Sequence, residues 1–245
     1  TSFSLAPLIL SSTSALITSY LFLGKELSYP VTLTGEFIME DLPFYLVLGI
    51  FTGLVSVYFT RMYMFVGSIF ERINRNRIRI LAGSISLGII IFLFPSLYGD
   101  GYEAINECLS GDSTYLFNQG LFYSFQDNLT ATIILLVFVI VFKVIATSIT
   151  FGAGGIGGIF APTLFMGANA GFLFTLFTSD VLGLKSLNQG TFALVGMAGL
   201  ISGVLHAPLT GIFLIADITG GYQLFLPLMI TATFAYLTAR YFESN

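Results

Sequence analysis

Phe151-Gly152-Ala153-Gly154-Gly155-Ile156-Gly157-Gly158-Ile159-Phe160-Ala161-Pro162-Thr163-Leu164-Phe165-Met166-Gly167-Ala168-Asn169 is the stretch that decides how this chain folds. Six of its first eight residues are glycine or alanine, and an uncharged apolar run follows directly. Gly152, Gly154, Gly155, Gly157 and Gly158 disfavour helix, because glycine is the most costly ordinary residue there, but they let the backbone turn tightly and approach a ligand. Helix can resume at Ile159. Pro162 suits a first turn, where a missing N–H matters least, and Ile159 to Phe177 runs 19 residues without a charge. The first N–H groups of a helix have no partner of their own, and its dipole places about half a positive charge at that end. A small anion is the natural occupant. The expected anion contacts are therefore Gly158, Ile159, Phe160, Ala161 and Pro162, on a loop shaped by Gly152, Gly154, Gly155 and Gly157.

Working outward, composition fixes the solvent. Of the 245 residues 56% are hydrophobic and 9% charged, with a mean hydropathy of +0.91, far from the roughly 25% charged residues of soluble domains. Several windows are long enough to cross a hydrocarbon core of about 30 Å, so an all-α, multi-pass integral membrane protein forming a single transmembrane domain over residues 1–245 is expected. The net charge of −4 says less about partners than the placement of the basic residues, and nothing points to nucleic acid. A lone Cys108 excludes an internal disulfide and a cysteine metal site, and reads as a thiol at the membrane surface. The chain begins at Thr1 with neither methionine nor a charged leader, and is expected to be part of a longer protein.

The spans follow in order. Leu5 to Leu23 is a first helix whose serines and threonines suit helix contacts in lipid. A polar loop with Lys25, Glu26, Glu36, Glu40 and Asp41 leads to Leu42–Ile69, too long for a perpendicular crossing and so tilted or protruding, with Arg61 near its end. Arg72, Arg75, Arg77 and Arg79 form the dense basic cluster, and the positive-inside rule places the 71–79 loop in the cytoplasm. Ile78 to Leu97 is a third span, ending at Pro95. Tyr98 to Asn128 is acidic, with a short amphipathic helix expected at Gly101–Leu109; together with the first loop it carries nine of the thirteen acids on the opposite face. The sequon Asn128-Leu129-Thr130 abuts a span and is a chance match. Thr130 to Ile149 is a fourth span, in which Lys143 is expected to snorkel at the cytoplasmic end. After the Ile159 helix and a polar link, the chain breaks into Thr191–Leu205, Pro208–Ile218 and Leu224–Tyr241. Short, Gly/Pro-interrupted apolar segments point to broken helices meeting at a site within the membrane.

Competing readings fail on context. Gly152, Gly154 and Gly157 spell G-x-G-x-x-G with Asp180 about 20 residues on, but the flanking segments have the length of spanning helices and leave no βαβ unit. No Lys-Ser or Lys-Thr pair closes the glycines as a phosphate loop requires. His206 stands alone beside Ala207 and Pro208 and reads as a helix-end residue; Asp217, near Gly220 and Gly221, also suits a helix end. No hydrolytic grouping is present. An enzyme, a cofactor and a bound metal are not expected.

Gly158-Ile159-Phe160-Ala161-Pro162 resembles the G-x-F-x-P motif of the CLC chloride channel and transporter family. Ala207-Pro208-Leu209-Thr210-Gly211, Gly221-Tyr222-Gln223-Leu224 and Leu226-Pro227-Leu228-Met229-Ile230-Thr231 resemble that family's last membrane helices at the same spacing. The resemblance implies a CLC-type inverted-repeat helical bundle of which this chain is the C-terminal half and one helix before it. It further implies chloride or a similar anion held by the backbone amides of Ile159 and Phe160, in a voltage-gated channel or an anion antiporter, with no cofactor. It implies a homodimer whose interface uses Leu5–Leu23, Pro208–Ile218 and Leu224–Tyr241. The family's first-half motifs, G-S-G-I-P and G-K/R-E-G-P, have no match, since Gly24-Lys25-Glu26 is followed by Leu27; a missing first half of the same protein is implied. A different secondary transporter for a small solute and a non-transporting membrane scaffold are the alternatives.

Overall fold

In a computed structural model of the chain, residues 2–24, 38–117, 122–126, 128–219 and 223–243 are described. Lys25, Glu26, Glu36, Asp127, Gly220, Gly221 and Tyr222 lie outside them. The described residues contain no strand. Their helices are α1 (Ser2–Leu23), α2 (Leu42–Glu71), α3 (Asn76–Leu93), α4 (Tyr102–Ser110), α5 (Leu129–Gly152), α6 (Phe160–Leu176), α7 (Gln189–Leu205), α8 (Pro208–Ile218) and α9 (Phe225–Glu243). Segments Met39–Glu71, Asn76–Leu93, Leu129–Gly152 and Phe160–Val181 are long and apolar enough to cross a membrane.

α6 and α7 are the core, with α2, α4, α5, α8 and α9 packed against one or both of them. Thr163 to Leu173 of α6 and Thr191 to Gly203 of α7 are buried without interruption, whereas α3 keeps only Gly83 buried. Two helices that are apolar all round gain little from the hydrophobic effect in lipid, and associate where small residues let their backbones approach. That is how α6 meets α7. A Cβ added at Gly167 would lie 2.5 Å from Met197 Cα, and one added at Gly196 would lie 2.5 Å from the Gly167 carbonyl oxygen. The same device recurs where α2 meets α9: a Cβ at Gly49 would lie 2.8 Å from Phe234 Cβ, and one at Gly53 2.6 Å from Thr238 Cβ. Gly49 and Gly53 on α2, like Gly167 and Gly171 on α6, stand four residues apart, a packing signal that the hydropathy of the sequence conceals.

Helix boundaries follow local chemistry. α8 spans Pro208–Ile218 as expected, with Pro208 in its first turn. α7 stops at a corner made by His206, the one non-glycine residue with positive φ (53°) among the described residues. Its Nε2 lies 2.6 Å from Glu243 Oε2, which pins the corner to the end of α9. Asp217 is exposed in the last turn of α8, a helix-end position. α4 occupies the expected amphipathic stretch, between Gly101 and Gly111, both with positive φ. Several boundaries shift by one to four residues, and two of the shifts have a local cause. The third span ends at Leu93, because Phe94 precedes a proline and leaves the helical region, and Pro95–Leu97 forms a separate short turn. α5 continues to Gly152, three residues past the expected end, so one glycine of the loop belongs to a helix. Arg61 lies well inside α2, and its Nη2 donates to the carbonyl of Phe242 at 2.9 Å.

Cys108 is fully buried and contacts the Tyr115 hydroxyl, which corrects its reading as a surface thiol. α1 is an apolar helix whose residues 6–22 are exposed.

Candidate anion site at the start of α6

The site is built by the way α5 stops. Ala153 caps α5, the N–H of Gly154 donates to the Phe151 carbonyl (3.0 Å), and the N–H of Gly155 donates to the Thr150 carbonyl (2.8 Å). This is the Schellman closure, with Gly154 at the position that needs positive φ, here 103°. It satisfies the last carbonyls of α5 and turns the chain toward Gly157. Gly152 serves packing: a Cβ there would lie 2.8 Å from Phe70 Cγ of α2.

α6 then opens with bare amides. Its first backbone bond runs from Thr163 N–H to the Ile159 carbonyl, 3.1 Å, so Ile159, Phe160 and Ala161 have no carbonyl of α6 to donate to, and Pro162 has no N–H. The residue capping α6 is Ile159, which offers no side-chain acceptor. Asn128 and Asn188, by contrast, each cap the following helix, α5 or α7, through a side-chain oxygen. Thr163 turns its hydroxyl back to the Ile159 carbonyl at 2.6 Å and leaves those amides alone.

A cavity of about 480 Å³ lies in front of this turn. Gly157, Gly158, Phe160, Ala161 and Pro162 line it, together with Thr147 and Thr150 of α5 and the Leu97–Asp100 segment. The Ile159 side chain packs against the core instead. Gly154 and Gly155 face a separate cavity, of about 470 Å³, with Asn76 and Arg79 of the basic segment. The glycines of the sequence reading thus divide between helix packing, chain reversal and the cavity wall. Gly154 to Gly158 are exposed, and Ile156 is 102% exposed.

One charged side chain on the cavity wall corrects the sequence reading. Lys143 does not snorkel out to the end of its span as expected. It is 3% exposed, and its Nζ donates to the carbonyls of Leu97 and Gly99, each at 3.1 Å, at the far end of α3. The ammonium also lies 4.5 Å from the centroid of the Phe165 ring, near enough for a cation–π contact. The amides of α6 therefore share their cavity with a cation. The available signal was the single charge in an otherwise apolar span; its partners, 44 and 46 residues away, were not legible. Among the described residues no group of His, Cys, Asp and Glu could hold a metal ion.

Known proteins give this geometry a context. The fold matches that of a slow cyanobacterial Cl−/H+ antiporter, with a TM-score of 0.64 and 24% identity over 87% of this chain and 46% of that one. It also matches a CLC-type fluoride/proton antiporter, with a TM-score of 0.62 and 22% identity over 90% of this chain and 49% of that one. The chain spans about half the length of both structures. A family model described as voltage gated chloride channel matches residues 1–240. With the helices and the glycine turn it organises, that match makes this chain a member of the voltage-gated chloride channel (CLC) family of integral membrane proteins.

Proposed function

We propose that this chain is one half of a transmembrane anion-transport domain and that the backbone amides at Ile159, Phe160 and Ala161 hold a chloride or similar ion on its way through. The observation that carries the reading is the first turn of α6: amides without helical partners, no capping side chain, and a cavity directly in front of them. Such a turn offers a dehydrating anion several N–H donors and a fraction of a positive charge, enough to hold it and weak enough to release it. The exposure of Gly154–Gly158 suits a loop covered by further protein, here the first half of the same domain. Exposed apolar residues on α8 and α9, such as Leu209, Phe213 and Leu237, suit a homodimer interface, and the arginines from Arg72 to Arg79 suit a cytoplasmic face.

The test is chloride flux from liposomes carrying the protein in the longest form its gene encodes. Replacing Phe160 and lengthening the Gly157-Gly158 turn are expected to reduce flux strongly, and undiminished flux in both variants sinks the proposal. Chloride or bromide should raise the melting temperature where sugars and amino acids do not. The reverse result would favour a transporter for another small solute, and no response to any of them a scaffold.

A further inference from the structure

The ammonium of Lys143 is moderated but not cancelled. Its acceptors are two neutral carbonyls and an aromatic face, and among the described residues no carboxylate lies within ion-pair distance of it. A lysine ammonium has three N–H donors, of which two are used here. A charge inside a spanning helix is costly, and such residues face ion pathways more often than they serve packing.

The surroundings give that charge a direction. Thr147 and Thr150 follow Lys143 at helical spacing on α5 and line the same cavity down to the start of α6. At about 1.5 Å per residue, Lys143 and Thr150 are about 10 Å apart along the axis. On the other side, the cavity shares Tyr98, Gly99 and Asp100 with a second cavity of about 490 Å³, whose wall carries Asp100, Glu103 and Glu107. Asp100 lines both cavities, so an anion entering beside Glu103 and Glu107 would pass these carboxylates before it reached the wall that holds Lys143 and the start of α6.

We propose that Lys143 is the fixed cation of the anion path, which offsets the carboxylates of Asp100, Glu103 and Glu107 and passes the ion to the first turn of α6. This rests on the reading of that turn as the anion site. Anchoring by Leu97 and Gly99 suits the role, since a tethered ammonium cannot follow the ion away.

Chloride half-saturation and maximal rate are measured in liposomes for the full-length protein and its Lys143→Gln, Lys143→Met and Lys143→Arg variants. Gln and Met are expected to raise the half-saturating concentration about tenfold with a smaller change in maximal rate, and Arg to stay near the parent. Asp100→Asn alone, an exposed change that leaves the lysine in place, is expected to lower half-saturation, and it should recover much of the loss in Lys143→Gln. Half-saturation unchanged in Lys143→Gln, or unchanged in Asp100→Asn, overturns the proposal. So does a fall in maximal rate alone, which would make Lys143 only a clamp on the Leu97–Gly99 turn. A parent that moves no halide removes the α6 reading and this one with it, whereas a parent that moves chloride beside an equally able Gln variant removes this one only.

Discussion

Tyr115 and Asn169, 54 residues apart, meet in a hydrogen bond of 2.5 Å that ties the loop after α4 to the middle of α6. The Asn169 amide N–H₂ donates to the Phe165 carbonyl at 2.7 Å, which leaves its oxygen as the acceptor for the phenol. Tyr115 has one proton and gives it to Asn169, so the Cys108 thiol, 3.1 Å away, is the donor to the Tyr115 oxygen. A buried relay thus runs from Cys108 through Tyr115 and Asn169 to the backbone of the helix that begins at the candidate site.

Breaking this relay should cost stability. Tyr115→Phe leaves the buried Asn169 oxygen without its donor, a loss of about 1–3 kcal/mol. Thermal melting in detergent should fall for Tyr115→Phe and further for Asn169→Ala, which also opens a gap beside α4. Melting equal to the parent in both variants would remove the relay from the account of how α4 is held.

Cys108 should be chemically silent in the folded protein. Burial pushes its thiol up to about 12, and burial likewise holds the Tyr115 phenol well above its ordinary value of 10.0. Between the ordinary thiol value of 9.0 and about 12, the folded chain keeps a proton that the unfolded chain gives up, so this group makes stability fall as pH rises through that window. Cys108→Ala should flatten the alkaline limb of the stability profile. Maleimide should label Cys108 only after denaturation; prompt labelling of the native protein at pH 8 contradicts the burial.

The seam between α6 and α7 should tolerate no added carbon. In Gly167→Ala the new methyl would stand 2.5 Å from Met197 Cα, and in Gly196→Ala 2.5 Å from the Gly167 carbonyl oxygen. Neither obstacle is a flexible side chain, so both helices must move apart, at a cost of about 1–3 kcal/mol or more. Size-exclusion chromatography should report loss of monodisperse protein for both. Gly88→Ala, on α3 with open space around it, is the control expected to behave as the parent.

The corner at His206 sets two effects against each other. Positive φ disfavours any side chain by about 1–2 kcal/mol, and His206 is held there through its contact with Glu243. His206→Ala loses the contact and keeps the strain, whereas His206→Gly loses the contact and relieves the strain. The glycine variant should melt above the alanine variant, and the opposite order would mean that the corner is set elsewhere.

Much of this architecture was legible in the sequence because it rests on local chemistry. Pro208 opens α8 where proline is welcome, Gly101 and Gly111 bracket α4, and the uncharged run after Gly158 could only be a buried helix. The misses share a cause. The apolar run ends at Ile149 because a glycine-rich turn follows, whereas Gly152, packed closely against Phe70, belongs to the helix. The sequence shows only the position of Lys143 along one span, but its direction is set by carbonyls beyond the end of another. Tyr115 lies in a polar stretch with no periodicity, and the amide of Asn169, alone in an apolar helix, was the one visible hint that a distant partner must exist.

The glycine seam has a mechanical consequence. Where two backbones touch without intervening side chains, little that is soft remains to absorb displacement, and α6 is braced in this way at Gly167 and Gly171, behind its first turn. A tip carried on so stiff a shaft would keep its shape whether or not a ligand sat on it. The cost of occupying it would then fall on water leaving the ion and not on the protein rearranging, which is the condition under which arrival and departure can both be quick.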